Sequence, residues 1–341
     1  VNYSNFVDNT AKNNGGAIYL TGSSDGLCEN TTFDNCYFGS NEAGLNGGAI
    51  DWYRGAFNGT ITNSIFENNI ANRSGGAIHW SGYYGTVSNS NFTGNKATGE
   101  VISDIGGVLG GGDGGAVIWV GSHGIIKDNC NFINNFAKYR GGAVFLHGND
   151  TENCTNTTVT NCNFEDNVAG LNGGAIDWQH GTTYGNLTYS NFTNNTAWRS
   201  GGAVYWNGLY GDILYCIFDD NHAIGNVTAH DRPDVAVYSN EGGHGGAVIW
   251  TGSHGEVYYS NFVNNTAKNN GGAVYLQSGT YGECQNTTFD NCYFGENEAG
   301  LNGGAVDWFR GASLGKVLNS VFENNIANRS GGAIHWSGYY G

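Results

Sequence analysis

Residues 66–80 read FENNIANRSGGAIHW, and this stretch decides the fold because its pattern recurs along the whole chain. Phe-x-x-Asn-x-Ala occurs eleven times, and in nine copies a Gly-Gly pair begins nine residues after the Phe. Where no insertion intervenes, the Gly-Gly pairs are 26 to 32 residues apart. A fixed period of this length is typical of solenoids. It predicts an all-β fold, a parallel β-helix of about eleven rungs with two or three short strands each.

The rungs are grouped in fours. Residues 1–85 match residues 257–341 at 66 of 85 positions, and each fourth rung carries an insertion. We therefore predict one continuous β-helix over 1–341, with super-repeats at about 1–130, 131–256 and 257–341 (partial) and insertions at 96–113 and 222–244. Because neither end carries the polar cap that solenoids need, we expect a segment of a longer protein.

A column of tryptophans is predicted to lie in the core. The position five residues after the first Gly is Trp in eight rungs and Leu in three, and Ile or Val always stands two residues earlier. Alternation along a strand puts both positions on one face. The alternative is an outward stripe that binds sugar rings. The column comprises Trp52, Trp80, Trp119, Trp178, Trp206, Trp250, Trp308 and Trp336.

The Asn of the motif is predicted to form a hydrogen-bonded ladder. A primary amide both donates and accepts, so stacked Asn side chains can be linked from rung to rung, whereas Asp cannot donate. All eleven copies have Asn at this position although Asp is common elsewhere. The ladder comprises Asn9, Asn41, Asn69, Asn95, Asn135, Asn167, Asn195, Asn221, Asn265, Asn297 and Asn325.

Six of the eight cysteines are spaced eight residues apart in pairs, once in each super-repeat. Repetition of both members predicts a disulfide within a rung, which an extracellular location would permit. The alternative is that Cys fills a column of small residues in which Ser otherwise stands. The candidate pairs are Cys28/Cys36, Cys154/Cys162 and Cys284/Cys292.

The charge and the sequons indicate an exported protein without a nucleic-acid partner. The net charge is −16 with only 13 Lys and Arg, which argues against nucleic acid and anionic membranes. We expect no membrane span in this segment, since no apolar run approaches 18 residues, and no metal or other cofactor. The candidate glycosylation sites are Asn30, Asn58, Asn72, Asn149, Asn156, Asn186, Asn226, Asn286 and Asn328.

Acids and histidines meet in two places. The outward positions beside the Trp column put Asp51 next to His79 and Asp307 next to His335, whereas Asp177 meets Tyr205. A set that changes along the repeat is poor evidence for one active centre. The eighth rung with the second insertion has the only local concentration of acids with histidine, which would suit a hard-cation site, a general acid and base, a recognition loop or simply a solvated loop. The candidate recognition loop comprises Asp219, Asp220, His222, His230, Asp231, Arg232, Glu241 and His244.

The repeated motif, FVDNTAKNNGGAIYL at 6–20 and FENNIANRSGGAIHW at 322–336, resembles the repeats of chlamydial polymorphic outer membrane proteins. In its Asn- and Thr-rich form it is similar to adhesin-like surface proteins of methanogenic archaea. The resemblance implies a right-handed parallel β-helix outside the cell, and parallel crossovers are generally right-handed. It further implies a role in adhesion or as a surface fibre.

We therefore predict a structural or adhesive segment of a giant cell-surface protein that is not an enzyme. Its partners would be other copies of itself, the continuing solenoid, or glycans and proteins of other cells. The alternatives are a carbohydrate-active β-helix lyase or hydrolase, and a sheath component that assembles laterally.

Overall fold

The computed structural model describes residues 1–22, 28–99, 111–148, 154–179, 181–225, 242–278 and 284–341. In these ranges the chain is an all-β parallel β-solenoid without helix, which confirms the predicted fold class. Like residues of successive motif copies are paired, so that Phe38 lies between Phe6 and Phe66. The Phe rings stack with centroids 4.7–4.8 Å apart, the distance between rungs.

Two sheets carry the Phe and Ala of the motif. The Phe sheet contains Asn5–Val7, Tyr37–Gly39, Ile65–Glu67, Asn91–Thr93, Asn131–Ile133, Asn163–Glu165, Asn191–Thr193, Ile217–Asp219, Asn261–Val263, Tyr293–Gly295 and Val321–Glu323. The Ala sheet contains Thr10–Ala11, Glu42–Ala43, Ile70–Ala71, Lys96–Ala97, Phe136–Ala137, Val168–Ala169, Thr196–Ala197, His222–Ala223, Thr266–Ala267, Glu298–Ala299 and Ile326–Ala327.

Two further sheets complete each rung. The Trp sheet contains Ile18–Thr21, Ile50–Phe57, Ile78–Tyr83, Val117–Val120, Val144–Leu146, Ile176–Trp178, Val204–Trp206, Val248–Trp250, Val274–Leu276, Val306–Trp308 and Ile334–Trp336, with Cys28–Glu29 paired to it. The aliphatic sheet contains Thr32–Asp34, Thr60–Thr62, Thr86–Ser88, Ile125–Lys127, Thr158–Thr160, Asn186–Thr188, Asp212–Leu214, Glu256–Tyr258, Thr288–Asp290 and Lys316–Leu318. Cys154–Thr155 and Thr182–Thr183 form a separate pair.

Four strands per rung, rather than the predicted two or three, result from left-handed residues at the corners. In one rung these are Asn58, Asn63 and Asn68, with φ of 52°, 51° and 54°, and Gly75 with φ of 68°. Asn tolerates this conformation better than most residues. At the fourth corner the second glycine is needed as well, since a Cβ on Gly76 would overlap the backbone of the next rung.

The Trp column lies inside the solenoid. Its members from Trp52 to Trp308 are at most 1% exposed, and the ring centroids of Trp80 and Trp119 are 4.6 Å apart at an angle of 3°. Trp336, in the final rung, is half-buried. Each buried Trp removes about 150–250 Å² from water, roughly 4–6 kcal/mol before entropic costs.

The Asn column forms a continuous ladder at the corner between the Phe and Ala sheets. The Nδ2 group of Asn135 donates to Asn167 Oδ1 at 3.0 Å and to the Phe92 carbonyl at 2.9 Å. Its Oδ1 atom accepts from both the backbone N–H and the Nδ2 group of Asn95. Each internal amide therefore uses both donor hydrogens and both acceptor sites, a pattern that Asp cannot provide.

The predicted disulfides are not formed. All eight cysteines lie within the described ranges and are free thiols. Cys36, Cys162 and Cys292 lie in the small-residue column, where Cys162 N–H donates to Ser190 Oγ of the next rung at 3.2 Å. The correction applies to the pairs Cys28/Cys36, Cys154/Cys162 and Cys284/Cys292.

The other members of the pairs, Cys28, Cys154 and Cys284, fill space in the core. Cys154 Sγ lies 3.3 Å from Thr157 Oγ1, and this Cys–Thr combination occurs only in rungs that have Leu in the Trp column. In the Trp rungs the position of the Thr is Gly, and a Cβ on Gly211 would overlap the Trp206 ring. Cys and Thr therefore occupy the volume that the smaller Leu leaves, which explains their repetition without a disulfide.

Candidate functional site: the outer face of the Trp sheet

The outward side chains of the Trp sheet form a column in which most members other than Tyr19 are buried or half-buried. Because side chains alternate along a strand, each rung contributes the residue between its core Ile or Val and its core Trp or Leu. In register these are Tyr19, Asp51, His79, Ile118, Phe145, Asp177, Tyr205, Ile249, Tyr275, Asp307 and His335. The three Asp residues are completely buried.

Two of the buried carboxylates are paired with histidine, as the sequence predicts. Asp51 Oδ1 lies 2.6 Å from His79 Nδ1, and Asp307 Oδ1 lies 2.9 Å from His335 Nδ1. Burial raises the pKa of Asp307 to about 6, against the opposing effect of His335. Burial is thus the larger influence on this carboxyl group.

The third carboxylate has a different partner. Asp177 Oδ1 accepts a hydrogen bond of 2.9 Å from Gln179 Nε2. Burial raises the pKa of Asp177 well above its ordinary value, although the charge of Arg140 opposes this shift. The second oxygen of all three carboxylates is buried without a hydrogen-bond partner among the described residues.

These carboxylates are too far apart to act together. Asp51, Asp177 and Asp307 are separated by four rungs each, which at about 4.8 Å per rung is roughly 19 Å. The two carboxyl groups of a glycosidase lie about 5–9.5 Å apart. The buried acids of this face therefore do not form a glycosidase-type pair.

A cavity of about 230 Å³ opens on the same face, beside the second insertion. Side chains from five successive rungs line it, on both the sheet and the adjoining Gly-Gly corner. The lining residues are Asn172, Arg199, Ser200, Tyr205, His244, Ile249, Asn270, Tyr275, Gln277 and Phe309.

Three neighbouring rings form part of the cavity lining, two of them stacked and the third tilted. The His244 and Tyr275 rings are 4.5 Å apart at 17°, and Phe309 lies 5.7 Å beyond Tyr275. Burial lowers the pKa of His244 to about 4, so its ring is neutral at pH 7. Asn270 Nδ2 lies 3.3 Å from His244 Nδ1. An amide NH₂ can only donate, so Nδ1 is the acceptor and Nε2 carries the hydrogen.

The cavity also contains a buried acceptor without a partner. Asn172 is 7% exposed, and its Oδ1 atom has no hydrogen bond to any described residue. The backbone N–H of Ser200 donates instead to the Leu171 carbonyl. Buried polar atoms are nearly always hydrogen-bonded, so the Asn172 oxygen indicates a place for a polar ligand atom.

The equivalent place in the first super-repeat holds an ion pair. Asp113 and Arg140 precede their Gly-Gly pairs there, as His244 and Asn270 do here. Arg140 donates to both Asp113 carboxylate oxygens at 2.9 Å, and its guanidinium lies 4.6 Å from the Phe145 ring centre. In the second super-repeat the same two positions hold His244 and Asn270, whose side chains are in contact at 3.3 Å, and the cavity lies there.

The candidate recognition loop is brought together only in part. His244 lines the cavity, while Asp219, Asp220 and His222 lie on the Phe and Ala sheets and the corner between them. Asp220 Oδ1 is 3.3 Å from His222 Nε2. The other predicted members, His230, Asp231, Arg232 and Glu241, lie outside the described residues.

Sequence reasoning missed the rest of the cavity because its residues come from neighbouring rungs. Asn172, Tyr275 and Phe309 are distant along the chain from His244. A signal was nevertheless present, since the residue before Gly-Gly changes from Asp113 to His244 between equivalent rungs.

An acid pair on the aliphatic sheet was also missed. Asp212 and Glu256 are directly paired on successive rungs and both point outward. Burial raises the pKa of Asp212 to about 6, and the charge of Glu256 adds to the shift. Exposed stacked rings flank the pair on either side, Tyr184 with Tyr210 and Tyr215 with Tyr259.

Five of the candidate glycosylation sites are exposed, namely Asn30, Asn58, Asn156, Asn286 and Asn328. Asn72 and Asn186 are half-buried, and Asn149 and Asn226 lie outside the described residues. The first four exposed sites share the corner before the aliphatic sheet and have left-handed φ.

Neither a metal-binding cluster nor a membrane-spanning helix is found among the described residues. They contain no group of three or more His, Cys, Asp or Glu side chains that could hold a metal ion. A helix with the length and hydropathy needed to span a bilayer is not found in the described parts of the chain.

Four segments match the Chlamydia polymorphic membrane protein (Chlamydia_PMP) repeat, namely residues 3–21, 63–79, 259–277 and 319–335. The segments cover less than half of the chain and include the Phe-x-x-Asn and Gly-Gly motifs. The chain thus contains repeats of this type. No curated protein sequence matches it.

Solved structures with a distantly similar course of the chain include two polysaccharide lyases and a bacteriophage tailspike protein. A mannuronic acid specific polysaccharide family 6 lyase from human gut microbiota is 10% identical over 93% of this chain and 77% of its own, with a TM-score of 0.41. Another family 6 alginate lyase, in complex with a trisaccharide, is 10% identical over 97% and 82%, with a TM-score of 0.45.

The tailspike protein of E. coli bacteriophage HK620, in complex with a pentasaccharide, is 13% identical over 90% of this chain and 63% of its own, with a TM-score of 0.30. Likeness at these identities and scores carries no argument about function.

Proposed function

We propose that this chain is a structural and adhesive rod of an extracellular surface protein, which presents a recognition site at one edge. The observation that carries the proposal is the contrast between the ladders, which run unbroken through eleven rungs, and the cavity beside His244, where the repeated residues change. Unbroken ladders suit a rigid spacer. Recognition commonly lies on irregular positions of a rigid scaffold.

The Chlamydia-type repeats and the exposed sequons support a location outside the cell. The acidic net charge of −16 favours solubility there and disfavours anionic surfaces as partners. The resemblance to methanogen adhesin-like proteins, glycosylation at the exposed sequons, and contact with other copies or with other cells belong to this proposal.

Two measurements test the rod and its location. Antibodies against the purified chain should label intact cells of the source organism, and beads coated with the chain should attach to cells more than beads coated with a protein of similar charge. Labelling only after permeabilisation, or attachment no greater than the control, would contradict the proposal.

The second candidate function is polysaccharide cleavage, favoured by one observation. Asp212 and Glu256 lie on successive rungs, about 4.8 Å apart in the main chain, which is compatible with the about 5–5.5 Å between carboxyl groups in retaining glycosidases. Their environments also differ, since the pKa of Asp212 is raised to about 6. A carboxyl group with a raised pKa is typical of a general acid.

An assay for new reducing ends or unsaturated products on a panel of polysaccharides tests this second function. Cleavage that Asp212→Asn abolishes and Asp290→Asn, on the same sheet, leaves intact would establish the enzyme and displace the adhesive rod as the main function. Absence of cleavage would leave the rod as the better account.

A further inference from the structure

We propose that the cavity bounded by Asn172, His244 and Tyr275 binds a single pyranose ring of a glycan. The inference rests on the proposed function, because it assigns a ligand class to the recognition site of the rod. It depends on the shape, hydrogen-bonding groups and ring content of the cavity, all of which come from described residues.

The volume limits the ligand to about one ring. The cavity measures about 230 Å³, below the roughly 300–1,000 Å³ of pockets that hold drug-sized ligands. A peptide segment or an oligosaccharide would exceed it. A longer glycan would thus place one residue in the cavity and the rest along the outside of the rod.

The polar groups suit hydroxyls, which donate and accept at the same time. Asn172 Oδ1 is a buried acceptor without a partner among the described residues. The Nε2 group of His244 is a neutral donor, since its Nδ1 atom faces Asn270 Nδ2. Asn172 and His244 are two rungs apart, about 9.6 Å in the main chain, so one hydroxyl of the ring would donate to Asn172 and another would accept from His244. The Gln277 amide adds a donor and an acceptor.

The remaining lining suits the C–H surface of a sugar. Tyr275 and Phe309 border the cavity and Ile249 completes the apolar part. Sites for small polar ligands generally combine such apolar walls with a few polar groups that fix orientation. A bare ion would make no use of the apolar rings.

The repeat itself supplies the matched control. In the first super-repeat the positions of His244 and Asn270 hold Asp113 and Arg140, whose ion pair spans the equivalent place. The backbone setting is the same, because the N–H groups of Asp113 and His244 both donate to the Ser of the preceding rung at 3.4 Å. The double substitution His244→Asp with Asn270→Arg should therefore close the cavity with an arrangement that this fold already accommodates.

The test uses the full chain and five free sugars: glucose, galactose, mannose, N-acetylglucosamine and glucuronate. Saturation-transfer NMR and titration should show that at least one binds. Closing the cavity should weaken that binding roughly tenfold or more, because the ligand loses its hydrogen-bond partners. Asp51→Asn, on the same face but far from the cavity, should bind like the native chain. Glucuronate serves to separate acidic from neutral rings.

Failure of all five sugars to bind, or equal binding by the double variant, would overturn the sugar site. If circular dichroism shows the double variant unfolded, Asn172→Ala decides, since loss of its acceptor should also weaken binding and unchanged binding would refute the inference. Surface labelling of intact cells with no sugar binding would remove the sugar site alone and leave the rod standing.

Discussion

Replacing Asn135 by Asp should destabilise the protein in a pH-dependent way, although the two side chains differ by one group. Asn135 donates to Phe92 O and Asn167 Oδ1 and accepts two hydrogen bonds from Asn95. Asp keeps the acceptors but loses both donations and brings a negative charge into a fully buried corner. A buried charge without a partner is costly.

The size of the effect follows from the groups left unpaired. In Asn135→Ala, the Asn95 N–H, the Asn95 amide and the Phe92 carbonyl each lose a partner. At about 1–3 kcal/mol for each buried group, the free energy of unfolding should fall by roughly 3–9 kcal/mol. In Asn135→Asp the Asn95 groups stay paired, and the loss comes from Phe92 and from the charge.

The pH dependence separates charge from packing. Burial should raise the pKa of the new carboxyl group in the folded state above its value in the unfolded chain. The folded variant then binds the proton more tightly, so its stability falls as pH rises from about 4 to above the raised pKa. The protonated acid also regains a donor. The variant should therefore approach the native chain at acidic pH.

Urea denaturation followed by circular dichroism at several pH values measures both effects. Hydrogen exchange at the backbone N–H of Asn95 measures how readily this rung opens. Asn134→Asp is the matched control, because Asn134 is exposed at the neighbouring left-handed corner position, where Asp166 stands in another rung. It should change stability by no more than about 0.5 kcal/mol. Equal stability of the two Asp variants at pH 7 would refute the ladder as a stabilising element.

Three further predictions concern the core and the outer face. Trp206→Leu should lower the free energy of unfolding by about 2–5 kcal/mol. Adding Gly211→Thr, since Thr stands at this position in the Leu rungs, should recover about 0.5–3 kcal/mol in a double-mutant cycle. Strictly additive effects of the two substitutions would contradict the packing argument. Oxidised glutathione should join Cys130 to Cys162, which precede the paired residues Asn131 and Asn163 and so hold the same position on successive rungs, and peptide mapping that finds another pair would contradict this. The native chain should lose stability as pH rises from about 4 through the raised Asp307 pKa of about 6. Asp307→Asn should remove this loss, and identical plots of unfolding free energy against pH for the two proteins would count against it.

The sequence by itself determined the repeating features. Phe, Asn and the Gly-Gly pair recur at fixed spacing, and each repeats because a stacked neighbour of the same type satisfies its packing or hydrogen bonding. The fold class follows from this one-dimensional pattern. The disulfide prediction failed because spacing alone cannot separate a covalent pair from two residues that fill adjacent volume, as Cys154 does below Leu146.

The tertiary structure alone decided which places depart from the ladder. The number of strands per rung depends on corner φ angles at residues such as Asn63, which the sequence permits but does not impose. The cavity joins Asn172 to Phe309, which are separated by more than one hundred residues in the chain. Only rung stacking brings them together. Whether a cavity forms beside the Gly-Gly corner depends on contacts between rungs. Asp113 and Arg140 form an ion pair across two rungs, whereas a cavity lies beside His244 at the equivalent position.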